Sequence, residues 1–185
     1  MRTAQYLARI QSELSRVADS ISDAEAEALI TRILQSRRIY VAGAGRSGLM
    51  VRSFAMRLMH LGLEAYVVGE TVTPGLSRGD LLLIGSGSGE TRSLIPMAQK
   101  ALSLGASVAA VTLSAESTIG RMADVSVVLP GSPKERSHSG QDTIQPMGSL
   151  FEQSLFLFFD AVVLRLMELR SLDSQAMFSR HANLE

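Results

Sequence analysis

The sequence predicts an α/β fold: a doubly wound, five-stranded parallel sheet flanked by helices, with a helical pair before it and a long helix after it. Three observations carry this reading. Leu81-Leu82-Leu83-Ile84 is apolar without alternation, as in a strand buried on both faces of a parallel sheet. Short apolar runs alternate with helical patterns through the middle of the chain, the spacing of right-handed βαβ crossovers. Two glycine-rich stretches, 43–48 and 85–91, each lie between such a run and a helical pattern. The 185 residues suffice for one domain with a full core.

The elements come in order. Residues 1–36 carry apolar positions at helical spacing, and Ser22-Asp23-Ala24-Glu25 divides them. That Ser-x-x-Glu run has the form of a capping box, so two helices are expected with a break near 20–22. Their role is packing or assembly. The core, 37–130, begins with a strand at Ile39–Ala42, a loop over Gly43–Gly48 and a helix over 49–61. Further strands are expected at 65–68, 81–84, 107–113 and 125–129, with helices at 93–104 and 117–122. Residues 131–148 are rich in Pro, Gly and polar residues, the composition of a long functional loop. Ser149-Leu150-Phe151-Glu152 repeats the capping-box pattern and opens a helix running to about 170, within a last segment of 149–185. Its Leu155–Phe159 run is apolar over the whole circumference, which calls for burial on nearly all sides and hence for a subunit interface.

Composition excludes several classes. Lys plus Arg and Asp plus Glu number 18 each, so there is no net basic field for nucleic acid or an anionic membrane. With no cysteine, disulfides, thiolate catalysis and cysteine-based zinc sites are out. Met1–Leu14 has no continuous apolar core and does not read as a leader. The 150–169 segment has a membrane-like length but carries Glu152, Asp160, Arg165 and Glu168. A soluble cytoplasmic protein is expected.

The stretch Gly85-Ser86-Gly87-Ser88-Gly89-Glu90-Thr91 stands at the carboxyl end of a strand and the amino end of a helix, where N–H groups and the helix dipole favour an anion. Ser86, Ser88 and Thr91 add hydroxyls. The first loop is a literal G-x-G-x-x-G with Glu64 about 20 residues on, the dinucleotide fingerprint. A fingerprint explains one phosphate loop, whereas two loops converging at the strand ends suit one small phosphorylated molecule. Arg46 and Ser47 offer a cation and a hydroxyl for phosphate or sugar oxygens, and Arg46 equally suits solvent. His60 reads as a cap or packing residue, His138 as an exposed loop residue, and His181 as a tail residue that a neighbouring subunit's site would have to recruit. Three histidines with no close spacing make no metal site.

Glu152 has two readings that spacing leaves open. As the third residue after Ser149 it completes a cap. It also heads a stripe through Phe156, Phe159 and Val163, where desolvation would raise a carboxylate's pKa and strengthen it as a base.

Taken together, Gly43–Gly48, Arg57-Leu58-Met59-His60, Gly85–Thr91, Gln145-Pro146-Met147-Gly148-Ser149-Leu150-Phe151-Glu152 and His181-Ala182-Asn183-Leu184-Glu185 resemble the 6-phospho-3-hexuloisomerases, sugar isomerase (SIS) domain enzymes. The resemblance runs essentially end to end. It implies a single SIS domain over 1–185 and interconversion of D-arabino-hex-3-ulose 6-phosphate with fructose 6-phosphate in the ribulose monophosphate pathway of formaldehyde fixation. It also implies a homotetramer and no cofactor. By the same resemblance Ser47, Ser86, Gly87, Ser88, Gly89, Glu90 and Thr91 bind the sugar phosphate and Glu152 is the proton acceptor. Arg46, His60 and His181 are secondary candidates. The alternatives are a non-catalytic SIS module that senses a sugar phosphate, and a dinucleotide-binding protein.

Overall fold

The computed structural model describes residues 1–131 and 143–184. The helical pair is α1 (Thr3–Ala18) and α2 (Asp23–Gln35). The core runs β1 (Ile39–Gly43), α3 (Gly45–His60), β2 (Ala65–Val67), β3 (Leu81–Gly85), α4 (Ile95–Ser103), β4 (Ser107–Thr112), α5 (Thr118–Met122) and β5 (Val125–Val128). Helices α6 (Ser149–Leu169) and α7 (Ser174–Phe178) complete the chain. The short α7 was not expected from the sequence. His138 and much of the expected 131–148 loop lie outside the described residues.

All strands pair parallel in the order β2-β1-β3-β4-β5. Alternate strand residues serve two cores, which is why β3 reads as one unbroken apolar run. Ile39, Val41, Leu81, Leu83, Ala109 and Val111 point to the side of α2, α3 and α6. Tyr40, Ala42, Leu82, Ile84, Val108 and Ala110 point to α4 and α5. The order reverses between β1 and β3, and open α/β sheets leave their crevice at the carboxyl ends of such a pair. There Gly43 pairs with Gly85, so both glycine loops leave the sheet side by side.

Local chemistry differs from the sequence reading at three places. Ser22 caps α2 by accepting from the Glu25 N–H, but the Glu25 carboxylate does not reach back; it accepts from Val128 N–H at 2.8 Å and covers the β5 edge. The loop expected over Gly43–Gly48 is mostly helix, since α3 starts at Gly45. Gly48 lies so close to the end of β1 that a Cβ there would sit 2.7 Å from Gly43 O, and this contact turns the strand directly into the helix. In α6, Leu155, Phe158 and Phe159 are buried, whereas Phe156 and Leu157 are 39 % and 49 % exposed. The helix therefore presents an uncovered apolar face, and the stripe below Glu152 is interrupted at Phe156.

At the opposite end of the sheet Asp80 is buried and accepts from Arg38 Nη2, Ser77 N–H and Arg37 Nε at 2.8, 2.8 and 3.2 Å. Burial alone would raise its carboxyl, but these donors outweigh burial and hold it below the ordinary range. Asp80→Ala leaves them without an acceptor and is expected to cost about 2–3 kcal/mol, read as a lower thermal midpoint. Because the folded pKa is depressed, the unfolded chain binds the proton more readily. The contribution is complete above roughly pH 4 and disappears as pH falls through the folded value. Among the described residues no helix is long and apolar enough to cross a membrane.

Candidate functional site

The phosphate-loop candidate is built from β3 outward. Gly89, at φ +62°, turns the chain so that its N–H donates to Ser86 O and Ser86 Oγ, both at 3.2 Å. Ser86 Oγ also meets Thr91 Oγ1 at 2.9 Å. Gly87 O accepts from Leu113 N–H, and Gly89 O from Ile119 N–H, at 3.0 Å each, tying the loop to β4 and α5. Among the described residues the N–H groups of Gly87, Ser88 and Thr91 have no acceptor, leaving donors for an anion. Glu90 is engaged elsewhere: it accepts from Thr118 N–H at 2.6 Å and Thr118 Oγ1 at 2.7 Å. Those two bonds hold its carboxyl below the ordinary range. The sequence placed Glu90 among the binding residues; its side chain fastens the loop to α5.

Helix α6 starts against this loop. A Cβ on Gly87 would lie 3.1 Å from the Phe151 ring, so the loop and the first turn of α6 are in contact. The N-cap is Gly148, with no side-chain cap bond, and Ser149 is the first helical residue. This corrects the Ser149 capping box: shifted by one position, Glu152 no longer caps. Its carboxylate is buried, 5 % exposed for the residue, and pairs through Oε2 with Arg46 Nε at 2.9 Å. Ser47 is buried beside Arg46 in the first turn of α3. The site therefore joins Ser47, the 86–91 loop and the Arg46–Glu152 pair at two helix amino termini, where the dipoles favour a phosphate. Sequence reading named both Arg46 and Glu152 but gave no signal that they touch. Among the described residues no cluster of three or more His, Cys, Asp or Glu side chains could hold a metal ion.

The other two candidates are elsewhere. From Ser47 to His60 is the length of α3, roughly 20 Å at 1.5 Å per residue, so His60 lies at the far end of that helix. Its ring stacks on His181 with centroids 5.5 Å apart. Both line a cleft of about 480 Å³ with Arg57, Asp160, Met177 and Phe178. Burial, then Arg57 and His181, push the His60 pKa down. A histidine whose folded pKa lies below its unfolded one takes up protons on unfolding. Stability is therefore expected to fall as pH drops below about 6.5, and His60→Gln should flatten that part of a thermal-midpoint profile.

The chain is thus a doubly wound α/β domain of strand order 2-1-3-4-5, with a glycine- and hydroxyl-rich loop and a buried carboxylate at its switch point. Residues 32–157 match the SIS domain family, and the chain belongs to it. The chain is 58 % identical over 185 residues, all of both chains, to the 3-hexulose-6-phosphate isomerase of Bacillus subtilis (strain 168). It is 42 % identical to that of Mycobacterium gastri, over 95 % of this chain and 92 % of the other. The crystal structure of a Methanococcus jannaschii protein, inferred to be a 3-hexulose-6-phosphate isomerase, matches with TM-score 0.84 at 32 % identity, covering 98 % of this chain and 99 % of that one. Within the SIS family, these full-length identities put the chain in the 3-hexulose-6-phosphate isomerase group.

Proposed function

We propose that this chain, acting as one SIS domain in the cytoplasm, is a 3-hexulose-6-phosphate isomerase of the ribulose monophosphate pathway, with Glu152 as its proton acceptor. The observation that supports the assignment of Glu152 is the contact of Phe151 with Gly87, which sets a buried carboxylate beside an anion loop. Ser47, the N–H groups of Gly87, Ser88 and Thr91 and the hydroxyls of Ser86, Ser88 and Thr91 hold the phosphate; Gly89, expected among the binding residues, spends its N–H on Ser86 and with Glu90 shapes the loop. Moving the carbonyl from C3 to C2 takes a proton from C2 and returns one to C3 through an enediol. One carboxylate spanning adjacent carbons serves both transfers. Arg46 anchors that carboxylate and meets the sugar's oxygens.

Because O6 is phosphorylated, the C3 ketone has no hydroxyl placed to close a five- or six-membered ring, and the substrate arrives open. His60 and His181 then serve binding or assembly more than chemistry. His60→Ala and His181→Ala are expected to retain turnover to within about tenfold of wild type; a loss equal to that of Glu152→Gln with affinity and assembly intact would overturn this. The exposed Phe156, Leu157 and Leu164 of α6 support a homotetramer whose subunits meet on that face. A coupled assay for fructose 6-phosphate formation tests the function. No product from pure wild-type protein would favour a sugar-phosphate sensor.

A further inference from the structure

Helix α1 is exposed along most of its length, yet its Glu13 is buried, 5 % exposed. No surface helix needs a buried carboxylate, and this one has a definite set of partners. Glu13 accepts from Thr143 Oγ1 at 2.6 Å, Ile144 N–H at 2.9 Å and Gln145 Nε2 at 2.9 Å. Thr143 Oγ1 in turn accepts from Gln145 N–H at 3.0 Å. Three consecutive residues some 130 positions away are thus gathered on one carboxylate. Burial alone would raise the carboxyl, but these donors together outweigh it and hold the carboxyl below its ordinary range.

Thr143–Gln145 lead directly into α6. Pro146 is rigid, Met147 stands at φ +55°, Gly148 is the N-cap, and Ser149 N–H closes on Pro146 O at 3.2 Å. A left-handed conformation at a non-glycine residue is costly and persists only when the flanking structure imposes it. Downstream, α6 is fixed by its packing; upstream, the described anchor is Glu13. Glu152 comes seven positions after Gln145, so a shift of the strap moves the start of the helix that carries the carboxylate.

We propose that Glu13 is a positioning residue for Glu152: by clamping Thr143–Gln145 it fixes the Met147–Gly148 turn and, through it, the first turn of α6. This rests on the reading of Glu152 as the base. The phosphate loop hangs by its own hydrogen bonds from β3, β4 and α5 and meets the first turn of α6 through the Phe151–Gly87 contact, so turnover should fall much further than affinity.

The test is kinetics and amide hydrogen exchange on full-length Glu13→Gln and Thr143→Val. Glu13→Gln, whose amide cannot serve three donors with one oxygen as an ionised carboxylate does, should lower kcat by about 10- to 100-fold, as expected for a reacting group displaced by a fraction of an ångström to an ångström. KM should stay within about twofold. Exchange should quicken at 147–152 and not at 86–91. Thr143→Val removes one donor and should move both readouts the same way by less, and it carries the test if Glu13→Gln does not fold. Wild-type kcat in a folded variant, or KM rising in step with the loss of kcat, overturns the proposal. So does faster exchange confined to 3–18, which would make Glu13 only an anchor for α1. The exchange arm reads the clamp whatever Glu152 does, and Glu152→Gln with wild-type turnover would sink the base assignment separately.

Discussion

Glu152→Gln should lower turnover by about 10³-fold, within the range that a positioned acid–base group contributes, while substrate affinity changes little. The glutamine keeps the volume of a buried side chain and leaves the Phe151–Gly87 contact in place, so the phosphate end of the site persists. It removes the basic oxygen and the charge that faces Arg46 at 2.9 Å. A steady-state comparison checks this, with binding of the sugar phosphate measured separately. An equal loss of affinity and turnover would instead say that Glu152 holds the site together.

Gly89→Ala should raise KM by about 100-fold, equivalent to losing roughly 3 kcal/mol of phosphate binding. Two effects act on the same residue. The backbone is left-handed at φ +62°, which costs a residue with a Cβ about 1–2 kcal/mol. The added methyl also overlaps the side chain of Ser117, whose hydroxyl caps α5 by accepting from Gly120 N–H. Relief requires the loop to move away from α5, which breaks the Gly89 O bond to Ile119 and the Glu90 bonds to Thr118 together. Gly69→Ala is the control: φ is +95° but a Cβ there meets nothing within 4 Å. It should lose stability and keep KM. Equal KM values for the two variants would contradict this role of the loop.

Much of the fold was legible because it rests on local signals. Leu81–Ile84 announced a strand buried on both faces, and the strand–helix rhythm gave the number of strands and their parallel sense. The two glycine loops were legible as turns at strand ends, although their adjacency depends on the Gly43–Gly85 register, which no local pattern encodes. Capping signals misled where a side chain had a distant competitor. Glu25 matched a capping box and went to Val128 instead, and Glu152 matched another and went to Arg46. In each case a partner about a hundred residues away outcompetes the helix's own N–H groups. Gly43 and Gly48 also matched a nucleotide fingerprint, the less favoured reading, because that motif needs the same close approach of helix to strand. Glu13 gave no signal, since on a mostly polar helix a single glutamate looks solvated until its three donors are seen.

If Glu152 carries a proton to and from the sugar through an enediol, the proton on C3 of fructose 6-phosphate becomes exchangeable with solvent. Incubating fructose 6-phosphate with the protein in D₂O and following the C3 position by NMR is the decisive measurement. Wild type should exchange the C3 proton for deuterium, and Glu152→Gln should bind the sugar phosphate without exchanging it. A wild-type protein that leaves C3 untouched, or a variant that exchanges it as fast as wild type, contradicts the mechanism.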